Sequence, residues 1–242
     1  MSDICVFGDS ITKGVIYDEV KGTYRQLKKS FVSLVQDKTG ISFRNFSRFG
    51  CTGRKGEEIL KRKISQIQSG SFTLLEFGGN DCDLDWHAVS DDPSIPRTAK
   101  ISLSEFHEIM RNMVDDLRKA DSRPIFLSLP PLVPERFVAW VSRDLNLRNI
   151  MRHIDENPAE IFQWQEEYNK EVCSIAKETA AILLDIRSLF INKENYADYI
   201  CIDGIHPNEA GHAMIADFLA SALPCALNGS QNSIESISSN IS

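Results

Sequence analysis

The sequence predicts an α/β protein built on a doubly wound parallel sheet, and three observations lead there. Short apolar runs rich in β-branched and aromatic residues recur along the chain. Long stretches with helical apolar spacing separate them, so strand and helix alternate. The chain has 242 residues, 42% of them hydrophobic, which suits a single domain with a sizeable core.

The first strand is expected at Ile4–Phe7, in ICVF. A helix is expected over Tyr24–Asp37, where Leu27, Phe31, Leu34 and Val35 share one face, and a second strand at Phe43–Phe46. Leu60, Ile64 and Ile67 give Glu58–Gln68 the same spacing, ahead of a third strand at Phe72–Phe77. Leu103–Lys119 is the next helix and Pro124–Leu129 the next strand. Ala159–Thr179, Ile182–Ile186 and Asn208–Leu223 complete the order as helix, strand and helix. Right-handed crossovers then place helices on both faces of a parallel sheet.

Two long segments, Cys82–Ala99 and Pro130–Pro158, lack a clear period and leave the carboxyl ends of strands. Long loops in that position shape binding sites, so both are expected to form pocket walls. Residues 1–224 are read as one domain, and residues 225–242, rich in Ser and Asn, as a mobile tail. No internal repeat is present.

The formal net charge of -7 argues against nucleic acid as a partner, because polyanion binding requires a clustered basic face. The densest basic run, Lys61, Arg62 and Lys63, is flanked by Glu57 and Glu58 and reads as a solvated helix face. No stretch approaches the ~20 apolar residues that span a bilayer, and the N-terminus passes straight into a strand pattern, so a cytoplasmic location is expected. The six cysteines (Cys5, Cys51, Cys82, Cys173, Cys201 and Cys225) show no C-x-x-C pair and are expected to be reduced thiols.

Chemistry-bearing residues lie at both ends of the chain. Ser10, in FGDSIT, follows the first strand, and DGIHPN places Asp203 three residues before His206. A hydroxyl, an imidazole to take its proton and a carboxylate to fix the imidazole are the requirements of nucleophilic acyl transfer. FGCTG follows the second strand and GGND the third, so Ser10, Gly50 and Asn80 fall on one edge of the sheet, where ligands bind in such folds. The Ser10 and Gly50 N–H groups and the Asn80 amide then make a three-donor oxyanion hole. Asp9 is expected to fix its turn by a local hydrogen bond. His87, His107, His153 and His212 have no comparable setting and are read as structural. DCDLD at Asp81–Asp85 mimics the start of a calcium loop, but Trp86 stands where glycine is needed, and no phosphate-binding glycine motif occurs.

FGDSIT, NFSRFG at Asn45–Gly50, FGGND and DGIHPN resemble, in order, the four blocks of the SGNH hydrolases, also called the GDSL lipase/acylhydrolase family. The resemblance covers Phe7–Pro207. It implies a flavodoxin-like three-layer α/β/α sandwich of about five parallel strands. It also implies a Ser10 nucleophile, a His206 base, an Asp203 orienter and an oxyanion hole of Ser10, Gly50 and Asn80. Around Gly50 the chain departs from the family pattern, with Arg48 and Phe49 before it and Cys51 after.

The expected activity is hydrolysis of a small-molecule ester by a covalent acyl-enzyme, with no metal or organic cofactor. An O-acetylated carbohydrate or small metabolite ester is the favoured substrate, since the acidic Asp83–Asp92 segment suits a sugar better than a long acyl chain. Transfer of the acyl group to an acceptor alcohol, or carbohydrate or peptide binding without catalysis, are the alternatives.

Overall fold

The computed structural model describes residues 3–228. Seven strands and ten α-helices are found among them. Five strands form the central parallel sheet: β1 (Asp3–Gly8), β4 (Ser42–Asn45), β5 (Phe72–Glu76), β6 (Arg123–Leu127) and β7 (Ile182–Leu184), in the order β4-β1-β5-β6-β7. All five were legible as apolar runs.

Strand alternation divides the interior into two cores. Ile4 and Val6 of β1 join Leu74, Ile125 and Leu127 beneath α2 (Phe31–Thr39) and α10 (Glu209–Leu227). Cys5 and Phe7, on the opposite face, join Leu75 and Phe126 beneath α3 (Gly53–Lys63), α5 (Leu103–Lys119) and α8 (Ala159–Glu178). Both faces are covered, hence the near-continuous apolar strands.

The helix expected over Tyr24–Asp37 is only partly there. Its first residues instead form β3 (Thr23–Gln26), paired antiparallel with β2 (Val15–Asp18) in a separate hairpin. The Asp18 carboxylate receives the Val20 and Lys21 N–H groups and builds the turn. Leu27 packs with Ile16 and Cys201, away from the core that holds Phe31 and Val35, so what reads as one helical face serves two clusters.

The segment Glu58–Gln68 divides into the end of α3 and a 3₁₀ turn, Ile64–Gln66. The two aperiodic segments carry short helices: α4 (Trp86–Asp91), and α6 (Pro134–Val141) with α7 (Leu147–His153). The last helix runs to Leu227, beyond the expected domain limit at residue 224, because Ala226 is buried and Cys225 and Leu227 pack on the same core. The rest of the expected tail, residues 229–242, lies outside the described residues. Glu209–Leu227 is long and apolar enough to cross a membrane, with hydropathy 1.4 over its best window. Its Ile215, Ala216, Leu219 and Leu223 are buried in the domain core.

Candidate active site

Ser10 opens α1 (Ser10–Lys13), immediately after β1, and Asp9 caps that helix by accepting the Ile11 N–H at 2.7 Å. Ser10 begins a helix, and the N–H groups there have no intrahelical acceptor. The expected local role of Asp9 is observed. Its second oxygen accepts the Asn80 amide at 2.8 Å, which joins the loop after β5 to the loop after β1.

His206 reaches Ser10 from the far end of the chain. Its Nε2 lies 2.8 Å from the Ser10 Oγ, and its Nδ1 lies 2.6 Å from the Asp203 carboxylate. The other Asp203 oxygen accepts the Ile205 and His206 N–H groups at 3.0 and 3.1 Å, so one short turn fixes both side chains. All three are buried, Asp203 completely. Burial pushes the Asp203 carboxyl up, but its hydrogen bond to His206, the His206 charge and the two N–H groups outweigh burial and bring it below the usual carboxylate range.

The turn is itself anchored. Arg136 donates to the carbonyls of Ala197 and Ile200, and the Cys201 N–H bonds the His206 carbonyl. Gly204 has φ +74, and a Cβ there would stand 2.5 Å from the Phe137 nitrogen. Only glycine suits that position.

Gly50 adopts φ +65 and has open space where a Cβ would lie. It borders the same pocket as Ser10, Asn80 and His206. Phe49 beside it is 54% exposed and lies parallel to the His206 ring, with 6.2 Å between centroids; Tyr24 meets that ring edge-on at 5.3 Å.

The pocket holds about 190 Å³ and runs from Ser10 beneath the two aperiodic segments. Leu84, Trp86, Phe137, Ile154, Ile161 and Trp164 line it, with Asp83, Arg97, Glu160 and Gln165 among its polar groups. Both segments therefore shape the pocket, the first through Asp83 and Arg97 as well as Leu84 and Trp86. The acidic residues of the first are largely engaged locally. Asp83 receives the Lys100 amine and the Trp86 indole N–H, Asp85 caps α4, and Asp92 bonds Ser94.

The remaining histidines stand apart from the Ser10 hydroxyl. His212 is buried and accepts the Phe31 N–H; His107 bonds Glu171; His153 meets the Pro93 carbonyl. Cys51 and Cys82 are buried, and desolvation pushes the Cys51 thiol up to about 11 and the Cys82 thiol well above its ordinary value. Lys61 and Arg62 are exposed, as a solvated face requires.

Asp81 and Glu76 were not singled out for this site. The Asp81 carboxylate receives the Gly53 N–H at 2.7 Å, fixing α3 to the loop after β5. Glu76 lines the pocket although it is almost wholly buried. A charged residue inside the apolar run FTLLEF was the available signal for it.

A parallel α/β sandwich with a hydroxyl–imidazole–carboxylate chain at the carboxyl edge of its sheet is the arrangement that serine hydrolases use. The chain belongs to the GDSL-like lipase/acylhydrolase family, whose model matches residues 6–214 and so spans Ser10, Gly50, Asn80, Asp203 and His206. It is 26% identical over 176 residues to the GDSL esterase/lipase WDL1 of Oryza sativa subsp. japonica, an alignment covering 69% of this chain and 60% of that protein.

Among solved structures it resembles in fold the lipase/acylhydrolase of Enterococcus faecalis (TM-score 0.62, 18% identity, covering 91% of this chain and 96% of that one). The psychrotrophic esterase EstA of Pseudoalteromonas sp., inhibited by monoethylphosphonate, gives a TM-score of 0.62 at 17% identity, covering 94% and 100%. The acetylxylan esterase Axe2 of Geobacillus stearothermophilus gives 0.55 at 18%, covering 90% and 92%.

Proposed function

We propose that this chain is a serine esterase acting through Ser10, His206 and Asp203. The observation that carries the reading is the continuous hydrogen-bonded chain Ser10 Oγ–His206 Nε2 and His206 Nδ1–Asp203 at the mouth of the pocket. His206 takes the Ser10 proton as Oγ bonds the ester carbonyl carbon, and the carbonyl oxygen becomes an oxyanion. The Ser10 and Gly50 N–H groups and the second Asn80 amide proton, the first being held by Asp9, stabilise it. His206 then returns the proton to the leaving alcohol as the C–O bond breaks. Water repeats the cycle against the acyl-enzyme and releases the acid. Asp203 keeps the imidazole oriented and stabilises its charged form.

The pocket favours an apolar acyl group over acetate. A volume of 10–15 Å³ holds one water, so an acetyl group would leave most of the ~190 Å³ empty, and the aliphatic and aromatic wall suits an alkyl chain or ring. This moves the expected substrate from an acetylated sugar towards esters of longer acids. Hydrolysis of p-nitrophenyl esters from acetate to octanoate by wild type and Ser10→Ala tests the reading. The wild type is expected to prefer hexanoate to acetate, and Ser10→Ala to lose turnover on all of them. Equal rates for the two proteins would remove Ser10 from the mechanism.

A further inference from the structure

Glu76 is the last residue of β5 and pairs across the ladder with Gly8, which places it against Asp9. It is 1% exposed, Asp9 2% and Asp81 0%, and Asp9 and Asp81 are the chain neighbours of Ser10 and Asn80, so three buried carboxyl groups stand beside the oxyanion donors. The charges of Asp9 and Asp81 both oppose ionisation of Glu76. Buried like charges that oppose one another's ionisation do not all remain ionised, and at least one group holds a proton.

Hydrogen bonding marks Asp9 as the ionised member. The Asp9 carboxylate already accepts two N–H donors, from Ile11 and Asn80, and N–H donors stabilise the ionised form. Glu76 Oε2 is buried without any donor among the described residues. The Asp9 and Glu76 carboxyl groups bear on one another's ionisation, and the Asp9 backbone N–H, which favours the Glu76 carboxylate, is outweighed by burial and the Asp9 charge.

We propose that Glu76 is a positioning residue of the esterase site: as the neutral acid it donates a hydrogen bond to the Asp9 carboxylate and so locks the oxygen that aims the Asn80 amide at the oxyanion. The inference rests on the serine-esterase reading for its catalytic consequence, and on burial, the ladder placement beside Asp9 and the unpartnered Oε2 for the protonated state. Burial, followed by the charge of Asp9, pushes the Glu76 carboxyl well above its ordinary range, in accord with the neutral form. With two amide protons on Asn80 and one held by Asp9, any slack in Asp9 becomes misalignment of the other. Glu76 acts only through Asp9.

The test compares Glu76→Leu and Glu76→Gln with wild type on p-nitrophenyl hexanoate. Glu76→Leu keeps the volume and removes the donor, and is expected to lower kcat roughly tenfold, less than the 10²–10³-fold for losing an oxyanion donor outright, with KM little changed. Glu76→Gln keeps a donor without charge and is expected to restore kcat to within about twofold of wild type, well above the Leu variant. Wild-type kcat in Glu76→Leu, or Glu76→Gln as slow as Glu76→Leu, overturns the proposal. The second measurement needs neither activity nor the Leu variant. The infrared difference between wild type and Glu76→Gln at neutral pH should contain a protonated carboxyl C=O stretch, and its absence overturns the neutral acid. Turnover that survives Ser10→Ala instead strikes the esterase reading, while the infrared band still decides the state of Glu76.

Discussion

The Val133 N–H donates to the Gly204 carbonyl at 2.8 Å, tying the start of the pocket-wall helix α6 to the turn that holds Asp203 and His206. Wall and base are therefore set by one backbone contact. A Cβ on Gly204 would meet the Phe137 nitrogen at 2.5 Å and the Val133 oxygen at 2.7 Å, both backbone atoms. Gly204→Ala must separate α6 from the turn or force the turn out of φ +74, a strain of roughly 1–3 kcal/mol before the clash is counted. We expect a lower Tm, and a fall in kcat larger than that of an alanine at exposed, open Gly40, where a Cβ meets nothing within 4 Å. Equal kcat losses in the two variants would separate the turn from the wall.

Asp203→Asn tests the orienting carboxylate. Loss of the ionised acceptor opposite His206 Nδ1 leaves the serine contact without a fixed imidazole. In serine triads this costs about 10⁴-fold in kcat with the geometry intact, and the same order is expected here on p-nitrophenyl hexanoate with KM little changed. A loss confined to KM would place Asp203 in substrate binding instead.

The sequence was most legible where chemistry constrains it. Ser10, Gly50, Asn80, Asp203 and His206 sit in short motifs, the first three placed on one edge by strand order, and the structure brings those three and His206 to one pocket with Asp203 hydrogen-bonded to His206. The five sheet strands were visible too, the central three as continuous apolar runs because both their faces are buried. Tyr24 and Leu27 were misread because a helical spacing spans the end of a hairpin and the start of α2, and periodicity carries no record of which cluster each side chain joins. The pocket wall was hidden for a related reason. Trp86, Phe137 and Trp164 come from three separate helices, and only tertiary packing sets them around one cavity. The aspartates of the first aperiodic segment dominated its composition, yet Asp83, Asp85 and Asp92 serve mainly local bonds.

The acyl preference is expected to follow the wall. Ile161 lines the pocket from the first turns of α8, away from the Ser10–His206 contact. Ile161→Trp fills part of the cavity and should shift the profile from hexanoate towards acetate, lowering kcat/KM for octanoate by roughly tenfold or more, an overpacking cost of 1–3 kcal/mol, while acetate changes little. A uniform loss across chain lengths would show that the acyl group lies elsewhere.

Stability should depend on pH through two buried groups acting in opposite senses. Burial, with a smaller contribution from the His206 charge, pushes His212 down to about 4, so the folded protein keeps it neutral while the unfolded chain takes a proton from about pH 6.5 downwards. Its contribution is therefore intact above pH 6.5 and lost as pH falls towards 4, at up to about 1.4 kcal/mol per pH unit. Burial pushes Asp81 up to about 7; the nearby Asp9 charge adds to this and the Gly53 N–H opposes it. The folded protein then holds a proton that the unfolded chain has released above about pH 4. Stability is lost as pH rises from 4 to 7. Comparing each variant with wild type isolates its group from Glu76, which acts in the same sense as Asp81. In urea unfolding from pH 4.5 to 7.5, the wild type should lose ground to His212→Asn as pH falls, since asparagine can still accept the Phe31 N–H. It should lose ground to Asp81→Asn as pH rises, since that variant can still accept the Gly53 N–H. Two differences of opposite slope are required, because one proton enters with unfolding and the other leaves. If both differences slope the same way, one of these groups carries its ordinary charge in the folded protein, and the burial that surrounds it does not set its protonation.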